Sequence, residues 1–288
     1  MQRKLFLLIL FTLSSLSSEE FGKSLNLRII ESKSNKNVSW TEVLTAMDEA
    51  DVLVWGEEHD DTQGHSAQIE FFKKFSDQFP VSLSLEMLER DQQNITDEYY
   101  RGLISEKQFL SSINHWKNFS SDYLPLVRYA KESFSNIICA NPPRRYVNAI
   151  SRKGIMAYSD FSDDAMRFLP HAYTLALYQS DPYLARLRDV FQSSPTNHTS
   201  SISTENMILS QYVWDQGMAE SVTKEHFRTG RKILHINGRF HSDYDGGVVH
   251  RLKAMGHKVV VLSVFPEGSE EEAKFGKIAD FVILTSRR

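Results

Sequence analysis

The chain has 288 residues, 41% of them hydrophobic, with 33 basic and 37 acidic side chains and a formal net charge of −4. That length supports one large α/β domain with a sizeable core, and the interspersed charges form no basic patch of the kind nucleic acid selects. A single cysteine, Cys139, excludes an internal disulfide and reads as a small buried hydrophobe within Asn136–Ala140.

Met1-Gln-Arg-Lys precedes a nearly continuous apolar run, Leu5–Leu13, and then Ser14–Ser18. A basic start, a short apolar stretch and small residues after it make the pattern of a secretory signal, so residues 1–18 are expected to direct export. The run is too short to span a bilayer; left uncleaved, it would associate the protein with a membrane. No cysteine follows it for acylation of the bacterial lipoprotein kind. The expected location is the periplasm, the outer-membrane surface or the exterior. Asn37, Asn94, Asn118 and Asn197 occupy sequons, which matter only in a host that glycosylates.

Leu25–Ser32 is predicted as a short strand, and Ser39 or Thr41 as the cap of a helix carrying Trp40, Val43, Leu44 and Met47. The first clear strand, Asp51–Gly56, runs into Glu57-Glu58-His59-Asp60-Asp61 and then into a helix from about His65 to Gln78, with Ile69, Phe71, Phe72 and Phe75 at helical spacing. A buried strand, an ionisable turn and a helix build a site at the carboxyl edge of a parallel sheet. Val81–Met87 alternates apolar and polar residues and ends near Glu86. As a parallel neighbour of the first strand it would set Glu86 beside the Glu57–His59 turn.

Residues 91–133 are polar, helical and aromatic, longer than a simple crossover. Ser135–Ala140 is the third strand; Pro142 and Pro143 turn it into a helix that places Arg144 and Arg145 near the same edge, where guanidinium groups suit carboxylate or phosphate. Residues 160–192 are again helical, with Tyr173, Tyr178 and Tyr183, and Asp181-Pro182 reads as the start of a fresh helix. A Ser/Thr/Asn-rich loop, a helix from Glu205 to about Phe227 and the strand Lys232–Asn237 follow. His241 and Asp243 fall on the turn after that strand, and His235 within it reads as a core histidine. A helix to about Met255 and the strands Lys258–Val264 and Ala279–Leu284 complete the chain. The alternation predicts an α/β fold. Its mainly parallel sheet is flanked by helices within one domain over residues 19–288, and a smaller all-helical subdomain comes from insertions near 91–133 and 160–203.

Two sequence-distant turns thus offer His59, His65 and His241 with Glu57, Glu58 and Glu86. Imidazole with carboxylate suits a divalent metal such as zinc, manganese or iron, held by His59, His65, Glu86 and His241. Such a metal would acidify bound water, and Glu57 or Glu58 would act as general base in hydrolysis of an ester or peptide. The bland alternative is a pair of ordinary surface histidines. There is no His-Glu-x-x-His, no Gly-x-Ser-x-Gly and no Gly-x-Gly-x-x-Gly, so compact zinc, serine-hydrolase and dinucleotide signatures are absent.

Gly56-Glu-Glu-His59 with His65, Ala140-Asn-Pro-Pro-Arg144, Gln211-Tyr-Val-Trp-Asp-Gln-Gly-Met-Ala219, and Asn237-Gly-Arg-Phe-His241 with Asp243, Tyr244 and Gly247 occur in that order. Together they resemble the ChaN family of haem-binding, iron-regulated proteins, over roughly residues 48–265. That family is similar in architecture to the Tiki proteases and erythromycin esterases. The resemblance implies a parallel-sheet domain with a smaller helical part, exported, binding haem at a homodimer interface and serving haem or iron uptake. It also implies an iron ligated by tyrosine with histidine assisting, for which Tyr178 and Tyr183 are the candidates, with His241 and Arg144 as further haem contacts. Two features differ from the family pattern: the lipoprotein cysteine is missing, and the late turn Gly238-Arg-Phe-His241 is bulkier than Gly-x-Gly-His.

Overall fold

The computed structural model describes residues 27–178, 181, 183–193, 202–269 and 275–286. The expected export segment, 1–18, and most of the 193–203 loop lie outside the described residues. A hairpin of β1 (Arg28–Glu31) and β2 (Lys36–Val38) leads into α1 (Trp40–Ala46). Of the two predicted caps Ser39 is the one used, in a reciprocal capping box with Glu42. Then come β3 (Val52–Glu57), α2 (Thr62–Gln78), β4 (Val81–Glu89), α3 (Gln93–Tyr100), α4 (Glu106–Ser112), α5 (Leu124–Glu132) and β5 (Asn136–Asn141). The second half runs α6 (Arg144–Lys153), α7 (Asp163–Met166), α8 (Tyr183–Ser193), α9 (Thr204–Thr229), β6 (Lys232–Gly238), α10 (Gly247–Ala254), β7 (Val259–Pro266), α11 (Phe275–Ile278) and β8 (Phe281–Thr285).

The sheet has the order β2-β1-β8-β7-β3-β6-β4-β5. From β8 to β5 every neighbouring pair is parallel, and the β1–β2 hairpin closes one edge antiparallel. This is the predicted mainly parallel α/β architecture, with one correction: β3 and β4 are not neighbours, because β6 lies between them. A second departure is small. Helix α2 begins at Thr62, three residues before the predicted start, because the Asp61 carboxylate accepts the Gln63 and Gly64 amides at 3.0 Å each.

The central strands are buried on both faces, as parallel strands covered by helices must be. On one side Leu53, Trp55, Leu83, Leu85, Leu234 and Ile236 join Phe71, Phe72 and Phe75 of α2. On the other, Val52, Val54 and Ile233 join Met218, Ala219 and Val222 of α9 with Val248, Val249 and Leu252 of α10. The serines of β4 therefore face protein, not water: Ser82 donates to Glu225 and Ser84 meets His235 Nδ1, both at 2.9 Å. His235 is the core histidine its position predicted, and burial pushes its pKa down to about 3.

The two predicted insertions behave differently. Tyr99, Phe109, Phe119, Tyr123 and Leu126 belong to the main core, so the 91–133 segment covers the sheet and forms no separate lobe. Val147, Ile150, Leu169, Tyr183, Leu187, Ile208 and Val213 make a core of their own, so the smaller helical unit is built by residues 144–193 and the start of α9. Among the described residues no helix is long and apolar enough to cross a membrane.

Helix α9 docks on the turn after β5 through Gly217, where an added Cβ would stand 2.1 Å from Pro142 Cγ. Gly217→Ala is therefore expected to destabilise the protein despite alanine's better helix propensity. A rigid proline ring cannot yield, and over-packing of this kind costs about 1–3 kcal/mol. Urea denaturation checks this: an unchanged or higher midpoint would show that α9 shifts freely over Pro142.

Candidate functional site

The carboxyl ends of β3, β6 and β4 gather the predicted residues at one rim. Pairing of β3 with β6 sets Glu57 opposite Gly238, and the β4–β5 register shifts between Leu85 and Glu89, so Glu86 lies at a bulge. Bulges re-aim side chains; here Glu86 Oε2 accepts the Gly238 amide at 2.7 Å. Gly238 is needed for close approach, since a Cβ there would stand 2.7 Å from His59 Nε2. Glu86 reaches the Glu57–His59 turn across β6, not as the direct neighbour the sequence suggested.

Glu57 is 2% exposed and fully engaged. Tyr123 donates to Oε1 and Gln68 to Oε2, each at 2.5 Å, and His59 Nδ1 lies 2.9 Å from Oε1. A carboxylate can only accept, so Nδ1 carries that proton and Nε2 faces Gly238. The His59 ring meets Trp116 edge-on at 4.7 Å, and Asn118 donates to its backbone carbonyl at 2.9 Å. Partial burial lowers the His59 pKa, but the Glu57 hydrogen bond and the Glu86 and Glu57 charges outweigh it, for a net rise. His65 is buried beneath, with Nε2 3.2 Å from the His59 carbonyl and Nδ1 3.3 Å from Gln68 Oε1.

His241 sits on the turn after β6 with Nδ1 2.6 Å from Asp215 Oδ1 and Nε2 3.8 Å from Glu86 Oε1. Burial lowers its pKa, yet the Asp215 and Glu86 carboxylates prevail and push it up to about 9. Behind Asp215 lies Arg251, wholly buried. Its Nη1 reaches Asp181 Oδ2 at 3.0 Å, the Gly247 carbonyl at 2.7 Å and Asp215 Oδ2 at 3.8 Å. Asp181 also accepts the Tyr183 amide at 2.9 Å, the cap its position predicted. A buried chain of charge thus runs from the helical unit through Arg251, Asp215 and His241 to Glu86. Arg186 adds a second tie: its Nη1 donates to the Asp243 carbonyl at 2.8 Å and its guanidinium covers Tyr244 at 4.6 Å.

The sequence-nominated residues divide accordingly. Glu57, His59, His65, Glu86 and His241 share the rim, but among the described residues no three of the proposed ligands His59, His65, Glu86 and His241 bring donor atoms within 4.8 Å of one another. The expected four-residue chelate is not assembled, because these donors are turned onto Gln68, the His59 carbonyl, Gly238 and Asp215. Both expected general bases have partners: Glu57 accepts from Tyr123, Gln68 and His59, and Glu58 pairs with Arg239 Nε at 2.5 Å. Tyr183 is 1% exposed and packs edge-on against Phe240 at 5.2 Å, so its phenol is enclosed and not presented to a cofactor. The side chain of Tyr178 lies outside the described residues. Arg144 is exposed at the far end of the rim, beyond β4, where its amide meets Glu89. Sequence reasoning gave no role to Asp215, Arg251, Gln68 or Tyr123. For Asp215 a signal existed, since Asp215-Gln216 interrupts the buried Tyr212-Val213 and Met218-Ala219 pairs of α9.

Residues 43–252 match the family described as haem-binding uptake, Tiki superfamily, ChaN. A structure of cofacial heme binding to ChaN of Campylobacter jejuni superposes with a TM-score of 0.64 at 19% identity, over 89% of this chain and 96% of that one. A Bacillus cereus protein superposes at 0.49 with 11% identity, over 86% and 91% of the two chains. An erythromycin esterase in its open conformation superposes at 0.45 with 12% identity, over 84% and 77%. None of the curated proteins matches the chain. The Campylobacter likeness speaks for the fold alone.

Two outcomes test the charge network. A histidine whose folded pKa is raised stabilises fully below its unfolded value, about 6.5, and loses that contribution as pH rises toward the folded value. Denaturation midpoints are therefore expected to fall between about pH 6.5 and about 9, and His241→Asn to flatten that fall. An equal slope in the variant would remove the charged pair. Arg251→Ala, which strands two buried carboxylates, is expected to cost about 3–5 kcal/mol in the same measurement.

Proposed function

We propose that this chain, which belongs to the ChaN family of the Tiki superfamily, binds haem on its helical unit. The observation that carries the reading is the family match over residues 43–252. The surface of the unit supports it: Met156 is 68% and Tyr173 71% exposed, and Ile155, next to Met156 in sequence, and Val190 of α8 are exposed as well. His171, itself exposed, stacks on Tyr173 at 5.6 Å. The Tyr158 hydroxyl donates to the Pro170 carbonyl at 3.0 Å and so holds the 154–160 turn against this strip.

A phenol open to solvent with an imidazole beside it fits the ligand pair that the family resemblance implies, and tyrosinate is a known haem ligand. Tyr173 meets that requirement in this structure, whereas Tyr183 does not. Next to His171 opens a cleft of about 810 Å³, in the size range of small-molecule sites. Met166, Phe168 and Leu169 offer an apolar wall and Arg101 and Lys224 add cations suited to propionates, although Asp97, Glu220 and Glu225 also line it. The residues present therefore fit haem: Tyr173 and His171 would hold the iron, which would supply a redox-active metal centre. The exposed Ile155 and Met156 would meet a second copy. The basic and apolar pattern of residues 1–18 supports placing this protein outside the cytoplasm, with a part in haem or iron uptake.

Hemin titration followed at the Soret band tests the reading. Saturable binding is expected, weakened at least about tenfold by Tyr173→Phe and unaffected by Tyr183→Phe. No saturable binding by the unmodified chain would overturn the function. Full binding by Tyr173→Phe would overturn the ligand assignment.

A further inference from the structure

At the opposite end of the sheet, three residues that the rim does not use converge. Asp51 precedes β3, His226 lies in the last turn of α9, and His257 precedes β7. One ligand atom from each lies within 4.8 Å of the other two, and this is the one such His/Cys/Asp/Glu group among the described residues. His226 Nε2 stands 3.7 Å from Asp51 Oδ1, and His257 Nδ1 4.0 Å from Asp51 Oδ2.

The hydrogen bonds behind the rings decide where their protons are. His226 Nδ1 lies 2.8 Å from the Arg231 carbonyl, which can only accept. His257 Nε2 lies 2.9 Å from Thr223 Oγ1, whose own proton goes to Met255 Sδ at 3.2 Å. Each outer nitrogen therefore donates, and each inner nitrogen turns a lone pair toward the other and toward the Asp51 carboxylate. Asp51 is itself oriented by the Lys258 amide at 2.8 Å. Two imidazole lone pairs and a carboxylate, all fixed from behind, repel one another unless a cation sits between them. Ligating histidines are held from behind in this same manner.

We propose that Asp51, His226 and His257 bind a first-row divalent metal ion, with zinc the best match to two imidazoles and one carboxylate. Zinc bonds near 2 Å on a tetrahedron separate ligand atoms by about 3.4 Å, so small side-chain rotations close the observed gaps. The His257 side chain is 2% exposed, but Asp51 at 32% and His226 at 19% leave a solvent side for entry and for a water ligand. Phe227, itself solvent-exposed, stacks on the His257 ring at 5.3 Å. The site shares no residue with the proposed haem cleft or with the His241 network.

Untagged full-length protein, stripped with chelator, is titrated with Zn2+ against a chromophoric competitor, and with Co2+ for its visible ligand-field bands. One equivalent is expected in the unmodified chain and in His241→Asn. Affinity is expected to fall at least about tenfold in both His226→Gln and Asp51→Asn, with circular dichroism unchanged. Binding unaltered in His226→Gln, or no saturable binding by the unmodified chain, would overturn the site.

Discussion

Much of this molecule depends on one buried cation. Arg251 is inaccessible to solvent and stands between Asp181, from the helical unit, and Asp215, from the helix that covers the sheet. An arginine so placed cannot shed its charge, so both carboxylates must stay near it, and the elements that carry them cannot separate without stranding charge in a poor solvent. Asp215 passes the constraint to His241, and His241 to Glu86. The network thus joins the small helical core to the sheet and fixes the late turn over β3 and β4.

That charge balance also shapes what the rim can do. In the sequence, Glu57, Glu58, His59, Glu86 and His241 look like catalytic raw material. In the fold nearly every one of them has a partner: Glu57 holds Tyr123, Gln68 and His59; Glu58 holds Arg239; Glu86 holds the Gly238 amide. Groups committed in this way orient turns but have little capacity left for a substrate proton. His59, with 44% of its side chain exposed, faces solvent most, followed by Glu58 at 30%. Ligand chemistry is better sought where polar groups are accessible and less committed, on the Tyr173–His171 strip.

The parts legible in the sequence were those governed by local rules. Strands read as apolar runs, Ser39 and Asp181 announced helix starts, and the two ionisable turns both lie at strand carboxyl ends, because each directly follows its strand in sequence. Strand order was not legible: nothing in Val81–Met87 reveals that β6 inserts beside it, since β6 comes some 140 residues later and pairing is decided by three-dimensional packing. The alternation of Ser82, Ser84 and Glu86 suggested a polar face, but those side chains meet Glu225, His235 and Gly238. Tyrosines were equally hard to rank. Tyr173 and Tyr183 differ in exposure from 71% to 1%, because Tyr183 packs into the small helical core against Phe240 and Tyr173 does not join that core.

The same limit explains why Asp51, His226 and His257 escaped notice as a group. They are separated by 175 and 31 positions, and none sits in a recognisable ligand spacing. What unites them is the register of the sheet: Asp51 exchanges backbone hydrogen bonds with Lys258 and Ile233, so the starts of β3, β6 and β7 are pinned side by side. The end of α9 then has one place to go, because Lys232 must follow Gly230 and Arg231 directly into β6. Parallel topology therefore builds two polar rims by one mechanism, gathering strand ends at both edges. At the carboxyl rim the charges are matched by other protein charges. At the amino rim two imidazole nitrogens stand 3.7 and 4.0 Å from one carboxylate with their outer nitrogens held from behind, and a metal ion would draw that set together.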